Sequence, residues 1–323
     1  MKGDVWLIDR VLVTGGAGFI GSHLVDKLMD EGFEVIVLDD FSSGRRENLS
    51  QHFGKANFCL VEGDVRDKAD VRKALKGVDV VFHLAAIVSV DFSVKNPILV
   101  NEVNVGGALN VLWESLNAGV KRFVYASSCA VYGKPVDLPV NEGHPTRPMS
   151  PYGVSKLAAE HYCRVFYEIY GFETVCLRFF NVYGSRQVVG RYSGVIMKFI
   201  DRLKRGEEPI IYGDGEQTRD FVFVGDVVDA CLSAMKCKNC VGEVINVGAG
   251  VEISINRLAD VLAELFNLHD IKFVYAEPRA GDIRRSCADL SKAERLLGYK
   301  PKVSLREGLV MLLRELGAKH HKD

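Results

Sequence analysis

Arg10-Val-Leu-Val-Thr-Gly-Gly-Ala-Gly-Phe-Ile-Gly-Ser22 is the stretch on which the reading of this chain turns. Arg10 to Val13 reads as a short apolar strand. Gly15, Gly18 and Gly21 follow at GxxGxxG spacing, and beyond them Leu24, Val25 and Leu28 fall on one side of a helix. Strand, glycine turn and helix in that order make a cradle for a pyrophosphate. The glycines let backbone come close, and the helix N-terminus turns free N–H groups and a partial positive charge toward the phosphates. The next strand, Glu34 to Leu38, runs into Asp39-Asp40. Asp39 stands where an acid binds the two hydroxyls of an adenosine ribose, and its charge repels a 2′-phosphate. The expected ligand is therefore NAD in preference to NADP, held by Gly15, Gly18, Phe19, Ile20, Gly21 and Asp39.

Working outward, strands and helices alternate. Phe58 to Glu62 is a strand followed by Gly63-Asp64-Val65-Arg66, and Val78 to Ala86 is strongly apolar, as in a buried parallel sheet. A long helix is expected over Asn101–Ala118, a strand over Arg122–Ser127, a helix from near Tyr152 to Tyr170, and a strand over Thr174–Phe179. This rhythm predicts a doubly wound parallel sheet of the Rossmann type, α/β, with helices on both faces. The character then changes. A basic helix is expected over Val195–Arg205, a polar turn-rich stretch over Tyr212–Phe221, a helix over Asp226–Ala234, a strand over Val244–Gly248 and an amphipathic helix over Ile255–Phe266. The expected division is an NAD-binding domain of residues 1–183 with a return segment at about 226–249. A smaller α/β substrate-binding region is expected from 184–225 and 250–323.

The 323 residues carry a net charge of -1, so no basic field for nucleic acid is expected. No run approaches the roughly 20 apolar residues of a membrane span. The first nine residues lack a signal-peptide pattern, which makes the cytoplasm the expected compartment. Eight scattered cysteines are no disulfide framework. The lone Cys237-x-x-Cys240 reads as plain thiols ahead of a local disulfide or a metal site, and no metal is expected. His320-His321 reads as a solvated, frayed end.

Tyr152-Gly-Val-Ser-Lys156 places a phenol and an ammonium on one helix face. The ammonium favours the phenolate, which suits a base working near neutral pH. Alone the pattern is common on surfaces. Behind a glycine fingerprint and a strand ending in Ser127-Ser128 it reads as catalytic, with Ser128 placed to hydrogen-bond the substrate oxygen whose proton Tyr152 handles.

Together these residues resemble the extended short-chain dehydrogenase/reductase family over essentially the whole chain, nearest to its UDP-glucose/UDP-galactose 4-epimerase branch. The motifs are Thr14-Gly-Gly-Ala-Gly-Phe-Ile-Gly21, Gly63-Asp64, His83-Leu-Ala-Ala86, Ser127-Ser-Cys-Ala-Val-Tyr-Gly133 and Pro151-Tyr-Gly-Val-Ser-Lys156. Leu177-Arg-Phe-Phe-Asn-Val-Tyr-Gly184, Gly213–Phe221 and Arg279-Ala-Gly-Asp282 point to nucleotide-sugar members. The resemblance implies Asp64 and Val65 at the adenine, Leu84, Ala85 and Ala86 along the cofactor, Lys156 at the nicotinamide ribose, and Asn104 behind the catalytic pair. It implies Asn181 at the sugar diphosphate, Arg219 and Arg279 as its clamp, and Asp282 near the uridine ribose. Bidentate arginines suit a diphosphate's two charges. Arg284 and Arg285 read as surface charge. The resemblance also implies a homodimer built on helices near Pro97–Ala118 and Tyr152–Tyr170.

The implied reaction is NAD-dependent interconversion of UDP-glucose and UDP-galactose through a 4-keto sugar. Ser286, small where bulky residues restrict other members, extends the expected range to UDP-N-acetylhexosamines. Related dehydratases and decarboxylases carry an acid after the serine or threonine, where this chain has Cys129-Ala130. The alternatives are a UDP-glucuronate 4-epimerase, a decarboxylase or a keto-sugar reductase. A non-catalytic member would be expected to lose Tyr152, Lys156 or Ser128, and all three are present.

Overall fold

A computed structural model describes residues 8–187, 194–268, 271–278 and 282–317. Its centre is a sheet of β1 (Arg10–Thr14), β2 (Glu34–Asp39), β3 (Phe58–Glu62), β4 (Val80–His83), β5 (Arg122–Ser128), β6 (Glu173–Phe179) and a return strand, Val244–Val247. The seven strands lie in the order return strand, β6, β5, β4, β1, β2, β3. Every neighbouring pair is parallel. This is the doubly wound Rossmann-type arrangement.

Period-two alternation sorts the apolar side chains onto two faces. Val11, Val13, Val35 and Val37 pack under Leu24 and Leu28 of the helix Phe19–Asp30 and Val227 and Cys231 of the helix Val224–Lys236. Leu12, Ile36, Leu38 and Val81 face the other way. They meet Val111 and Leu112 of the helix Ala108–Asn117 and Ala159 and Cys163 of the helix Pro151–Tyr170. A one-residue slip in any of these strands would exchange the two sets, so burial on both faces fixes the register.

From β1 the chain winds outward to β2 and β3, then crosses back to β4 on the other side of β1. The strand order reverses there, and the carboxyl ends of β1 and β4 open into a crevice. Thr14 pairs with His83, which sets the Gly15 turn beside Leu84. The apolar run Val78–Ala86 yields only a four-residue strand. Leu84, Ala85 and Ala86 leave the sheet, where Leu84 N–H donates to the Thr14 carbonyl at 3.2 Å and Ala85 N–H to Thr14 Oγ1 at 3.3 Å.

Two helices cover the face that carries Leu12 and Val81. Pro151–Tyr170 has Ser150 as N-cap, its hydroxyl accepting from Gly153 N–H, and closes at Gly171 with φ 66°. The long helix expected over Asn101–Ala118 is divided: an α-turn at Pro97–Asn101, a π-helical turn at Glu102–Gly107, then α-helix at Ala108–Asn117. A Cβ on Gly107 would stand 2.7 Å from Val65 Cγ2, so glycine is required there by close packing.

A third apolar cluster lies outside the sheet. It joins Ile196 and Phe199 of the helix Val195–Lys204, Leu258 and Leu262 of Ile255–Leu265, and Leu309 and Leu312 of Leu305–Glu315. Short strand pairs tie it down: Asn181–Tyr183 with Phe221–Phe223, and Thr218–Arg219 with Ile253–Ser254. Among the described residues no helix is long and apolar enough to cross a membrane. All eight cysteines are free thiols. His320-His321 lies outside the described residues.

Candidate active site

The crevice between β1 and β4 is lined by the glycine turn. Gly15 has φ +68°, and a Cβ there would meet Ala85 N at 2.8 Å. A Cβ on Gly21 would meet the Gly15 carbonyl oxygen at 2.1 Å, so its role is close packing of helix on turn. Gly18 is the N-cap of Phe19–Asp30; it offers no side-chain acceptor, and the first helical turn holds no acid. The N–H groups of Phe19, Ile20 and Gly21 are thus left without a side-chain cap at the positive end of the helix dipole, which fits a pyrophosphate. Asp39 is buried at the end of β2, accepting from Ala17 N–H and Phe41 N–H, both at 2.9 Å. Burial raises its carboxyl above the usual range and the two N–H groups oppose that. Each oxygen keeps a lone pair for a ribose hydroxyl. The residues present therefore fit NAD.

Asp64 and Val65 follow β3. The Asp64 carboxylate is held by the Arg66 guanidinium, which lowers its pKa, while Asp64 N–H donates to Asp70 at 3.0 Å. Val65 is buried, and its carbonyl accepts from Asn110 Nδ2 at 2.7 Å. Asn104, on the π-turn, exchanges both amide atoms with the Ile87 backbone at 2.8 and 3.0 Å and donates to Ser155 Oγ at 3.0 Å. Ser155 in turn donates to the Tyr152 carbonyl at 2.7 Å. Asn104 thus ties the chain after Ala86 to the first turn of the Tyr152 helix.

Ser128, Tyr152 and Lys156 come together. Ser128 ends β5 near enough to the Tyr152 phenol to lower its pKa; both Tyr152 and Lys156 are buried. Lys156 Nζ donates to the Ala126 carbonyl at 2.7 Å and sits 5.0 Å from the Tyr125 ring centroid. Burial brings Lys156 down to about 8, with Glu160 pulling the other way. Tyr152 is not depressed as its spacing from Lys156 suggests. Burial pushes it up to about 12, against a lowering hydrogen bond from Ser128. The protein alone keeps the phenol protonated, and the bias toward phenolate has to come with the ligands. Cys129 is half-buried beside Ser128, a neutral thiol pushed up to about 12, and it feels the charges of Asp220 and Arg219. That places the Arg219 loop next to the catalytic end of β5.

Asn181 opens its short strand, its N–H bonded to the Asp220 carbonyl at 3.0 Å. Arg219 donates to the Thr218 and Ile283 carbonyls at 2.7 and 2.6 Å and pairs with Asp282. The two residues expected at opposite ends of a UDP group therefore hold each other. Ser286 is buried in a segment fixed on both sides, by Thr218 N–H to the Arg284 carbonyl at 2.9 Å and Val140 N–H to the Cys287 carbonyl at 2.8 Å. Arg279 lies outside the described residues. Arg284 and Arg285 are exposed and paired with Asp214 and Glu252.

Glu160 and Arg178 escaped the sequence reading. Glu160, one helical turn beyond Lys156, is buried in a fork-to-fork pair with Arg178 of β6, at 2.9 and 2.7 Å, and accepts from Ser127 Oγ. The signals were an acid four residues after the lysine and a lone arginine inside the apolar strand Val175–Phe180.

The family model for the NAD-dependent epimerase/dehydratase family matches residues 11–248. A putative UDP-glucose 4-epimerase of Methanocaldococcus jannaschii is 45% identical over 305 residues, 93% of this chain and 95% of that one. UDP-glucuronic acid decarboxylase 4 of Arabidopsis thaliana is 37% identical over 95% of this chain and 68% of its own length. The Thermotoga maritima UDP-glucose 4-epimerase, solved with UDP-glucose, superposes with a TM-score of 0.90 at 42% identity, covering 95% of this chain and 98% of that one. With the glycine crevice, and with Ser128 beside the buried Tyr152 and Lys156 at the carboxyl end of β5, these matches make the chain an enzyme of the NAD-dependent epimerase/dehydratase family.

Proposed function

We propose that the enzyme is a UDP-hexose 4-epimerase interconverting UDP-glucose and UDP-galactose through a 4-keto sugar. The observation carrying this reading is Ser128–Tyr152–Lys156 with a neutral thiol, Cys129, where an eliminating or decarboxylating relative places an acid. NAD, when bound, supplies the acceptor and later the donor of the C4 hydride. Tyr152 takes the proton from the sugar 4-hydroxyl and returns it to that oxygen once the C4 configuration is reversed. Ser128 hydrogen-bonds the same oxygen and steadies the phenol between transfers. Lys156 holds the nicotinamide ribose, and the positive charge of the bound nicotinamide would favour the phenolate. Gly15, Gly18, Phe19, Ile20 and Gly21 bind the pyrophosphate, Asp39 the adenosine ribose, and Asp64, Val65, Leu84, Ala85 and Ala86 the rest of the cofactor.

The nucleotide sugar lies on the 184–225 and 250–323 region, with residues 1–183 and the return segment binding NAD. Asn181 and Arg219 face the diphosphate, together with Arg279. Arg219 gives up Asp282 on binding, which frees that carboxylate for the uridine ribose. The grip falls on the nucleotide end, so the hexose is free to turn over and present its other face. Ser286 leaves room beside C2 for an acetamido group, which extends the range to UDP-N-acetylhexosamines. Purified protein assayed with UDP-glucose, UDP-N-acetylglucosamine and UDP-glucuronate, scoring the C4 epimer of each, tests the reading. Turnover of UDP-glucuronate alone, or release of carbon dioxide, would overturn it.

The active assembly is a homodimer. Ile98, Leu99 and Trp113 stand exposed on the Pro97–Asn117 segment, as do Val154, Tyr162, Ile169 and Tyr170 on the helix beside it. An apolar groove lined by Ile98, Pro148, Met149 and Val154 continues that face. Two copies laid helix against helix would cover it.

A further inference from the structure

The Glu160–Arg178 pair has a cost that its position explains. Both side chains are buried, and a buried ion pair is commonly less stabilising than well-packed apolar residues of the same volume. Its neighbours show what it does. Glu160 Oε1 accepts from Ser127 Oγ and Arg178 Nε, and Oε2 from Arg178 Nη2. Ser127 follows Ala126, whose carbonyl is the acceptor for Lys156 Nζ. Helix, β5 and β6 are therefore pinned together one turn behind the lysine, through two consecutive residues of β5.

We propose that Glu160 is a positioning residue for Lys156: its carboxylate, clamped by Arg178 and Ser127, docks the helix on β5 and so holds the ammonium at the Ala126 carbonyl. This rests on the role of Lys156 under the reading above. The groups around the pair leave the task to it. On β4, His83 is neutral, brought down to about 3 by burial and by Lys156 itself. On β5, burial raises Tyr125 well above the phenol range. Tyr152, on the same helix, is pushed up to about 12, as is Tyr132, which lies under the Arg178 guanidinium at 4.6 Å from its ring centroid. On β6, the Cys176 thiol is raised beside Cys163. Glu142 stands behind Arg178, its carbonyl accepting at 3.4 Å, and its carboxylate is taken by Asn246 N–H at 2.7 Å. Of the groups acting on Lys156, burial lowers it and Glu160 raises it.

Without the Glu160 charge, Lys156 loses its proton at lower pH, and its bond to the cofactor ribose is lost earlier as pH rises. The test uses the NAD-loaded protein, with Glu160→Gln and the double variant Glu160→Gln/Arg178→Gln. The double variant leaves no unpaired buried charge should the single variant fold poorly. Two readouts are followed from about pH 6 to 10: NAD retained through gel filtration, and epimerisation of UDP-glucose. The expected result is that the pH of half-release and the alkaline limb of kcat both move down by about one unit in Glu160→Gln, and by less in the double variant, which removes the opposing Arg178 charge as well. A uniform loss at unchanged pH would reduce Glu160 to packing and overturn the proposal. If wild type retains NAD but epimerises no UDP-sugar, the functional reading fails, while the retention curve still decides the role of Glu160.

Discussion

At the scale of single residues, Tyr152→Phe removes one oxygen and leaves the buried ring. Turnover of UDP-glucose should fall by roughly 10²–10⁴-fold while NAD stays bound, since the proposed reaction uses the Tyr152 oxygen as its proton acceptor. Steady-state assay together with absorbance of retained NAD checks both halves, and near-normal turnover would reject the base. Ser286→Tyr should abolish action on UDP-N-acetylglucosamine and spare UDP-glucose; loss of neither would place Ser286 outside the sugar pocket. Lys156 makes a stability prediction. Burial holds its folded pKa at about 8, below the roughly 10.4 of an unfolded lysine. Between those values the unfolded state binds more protons, so stability rises with pH there. The burial penalty is present below about 8 and is relieved as pH rises toward the unfolded value. Lys156→Met has no such slope, so in ligand-free protein its advantage over wild type should shrink by ~1–3 kcal/mol between about pH 8 and 10. Parallel thermal melts at several pH values measure the gap. What was legible at this scale was residue type at a spacing: Tyr152, Lys156 and Ser128 stand together as read. Glu160 and Arg178 were not legible as a pair, because the ion pair joins residues 18 positions apart and the local signal of each says nothing of the other. The elevated Tyr152 pKa was missed for a related reason, since spacing shows a neighbour's charge and says nothing of burial.

At the scale of elements, the glycine turn and the π-turn hold two different kinds of glycine. Gly21→Ala drives a methyl into the Gly15 carbonyl and pushes the helix off β1. It should cost about 1–3 kcal/mol and most of the NAD retention. At Gly106 an added Cβ would have no neighbour within 4 Å, so Gly106→Ala should be neutral or mildly stabilising. Melting temperature and cofactor content of the two variants distinguish these outcomes. The strands were readable because parallel-sheet strands are continuous apolar runs, and the helices because Leu24, Val25 and Leu28 or Tyr152 and Lys156 share a face. The π-turn at Glu102–Gly107 was hidden. Its sequence, Glu-Val-Asn-Val-Gly-Gly, satisfies helical periodicity, and what widens the turn is tertiary: Asn104 reaching Ile87 and Ser155, and Gly107 lying against Val65. The early end of β4 was hidden too, since Leu84–Ala86 is as apolar as the strand before it and turns away only because Thr14 offers its carbonyl and hydroxyl.

At the scale of the whole molecule, the exposed apolar face on the Pro97–Asn117 and Pro151–Tyr170 segments should be covered in solution. Light scattering at micromolar concentration should give twice the chain mass, and Ile98→Glu with Ile169→Glu should give a monomer. A monomeric wild type would reject the dimer. The return strand has a different consequence, one of timing. Val244–Val247 forms the outer edge of the sheet beside β6, and the helix Val224–Lys236 roofs Val124 and Leu177. Synthesis runs from the N-terminus, so β6 emerges from the ribosome long before either. Throughout that interval the nascent protein carries a bare parallel edge and an unroofed apolar face, the pairing template that leads to aggregation. A chain halted after Tyr183 should therefore enter the insoluble fraction or stay bound to chaperones, although every strand expected to cradle NAD has already been made.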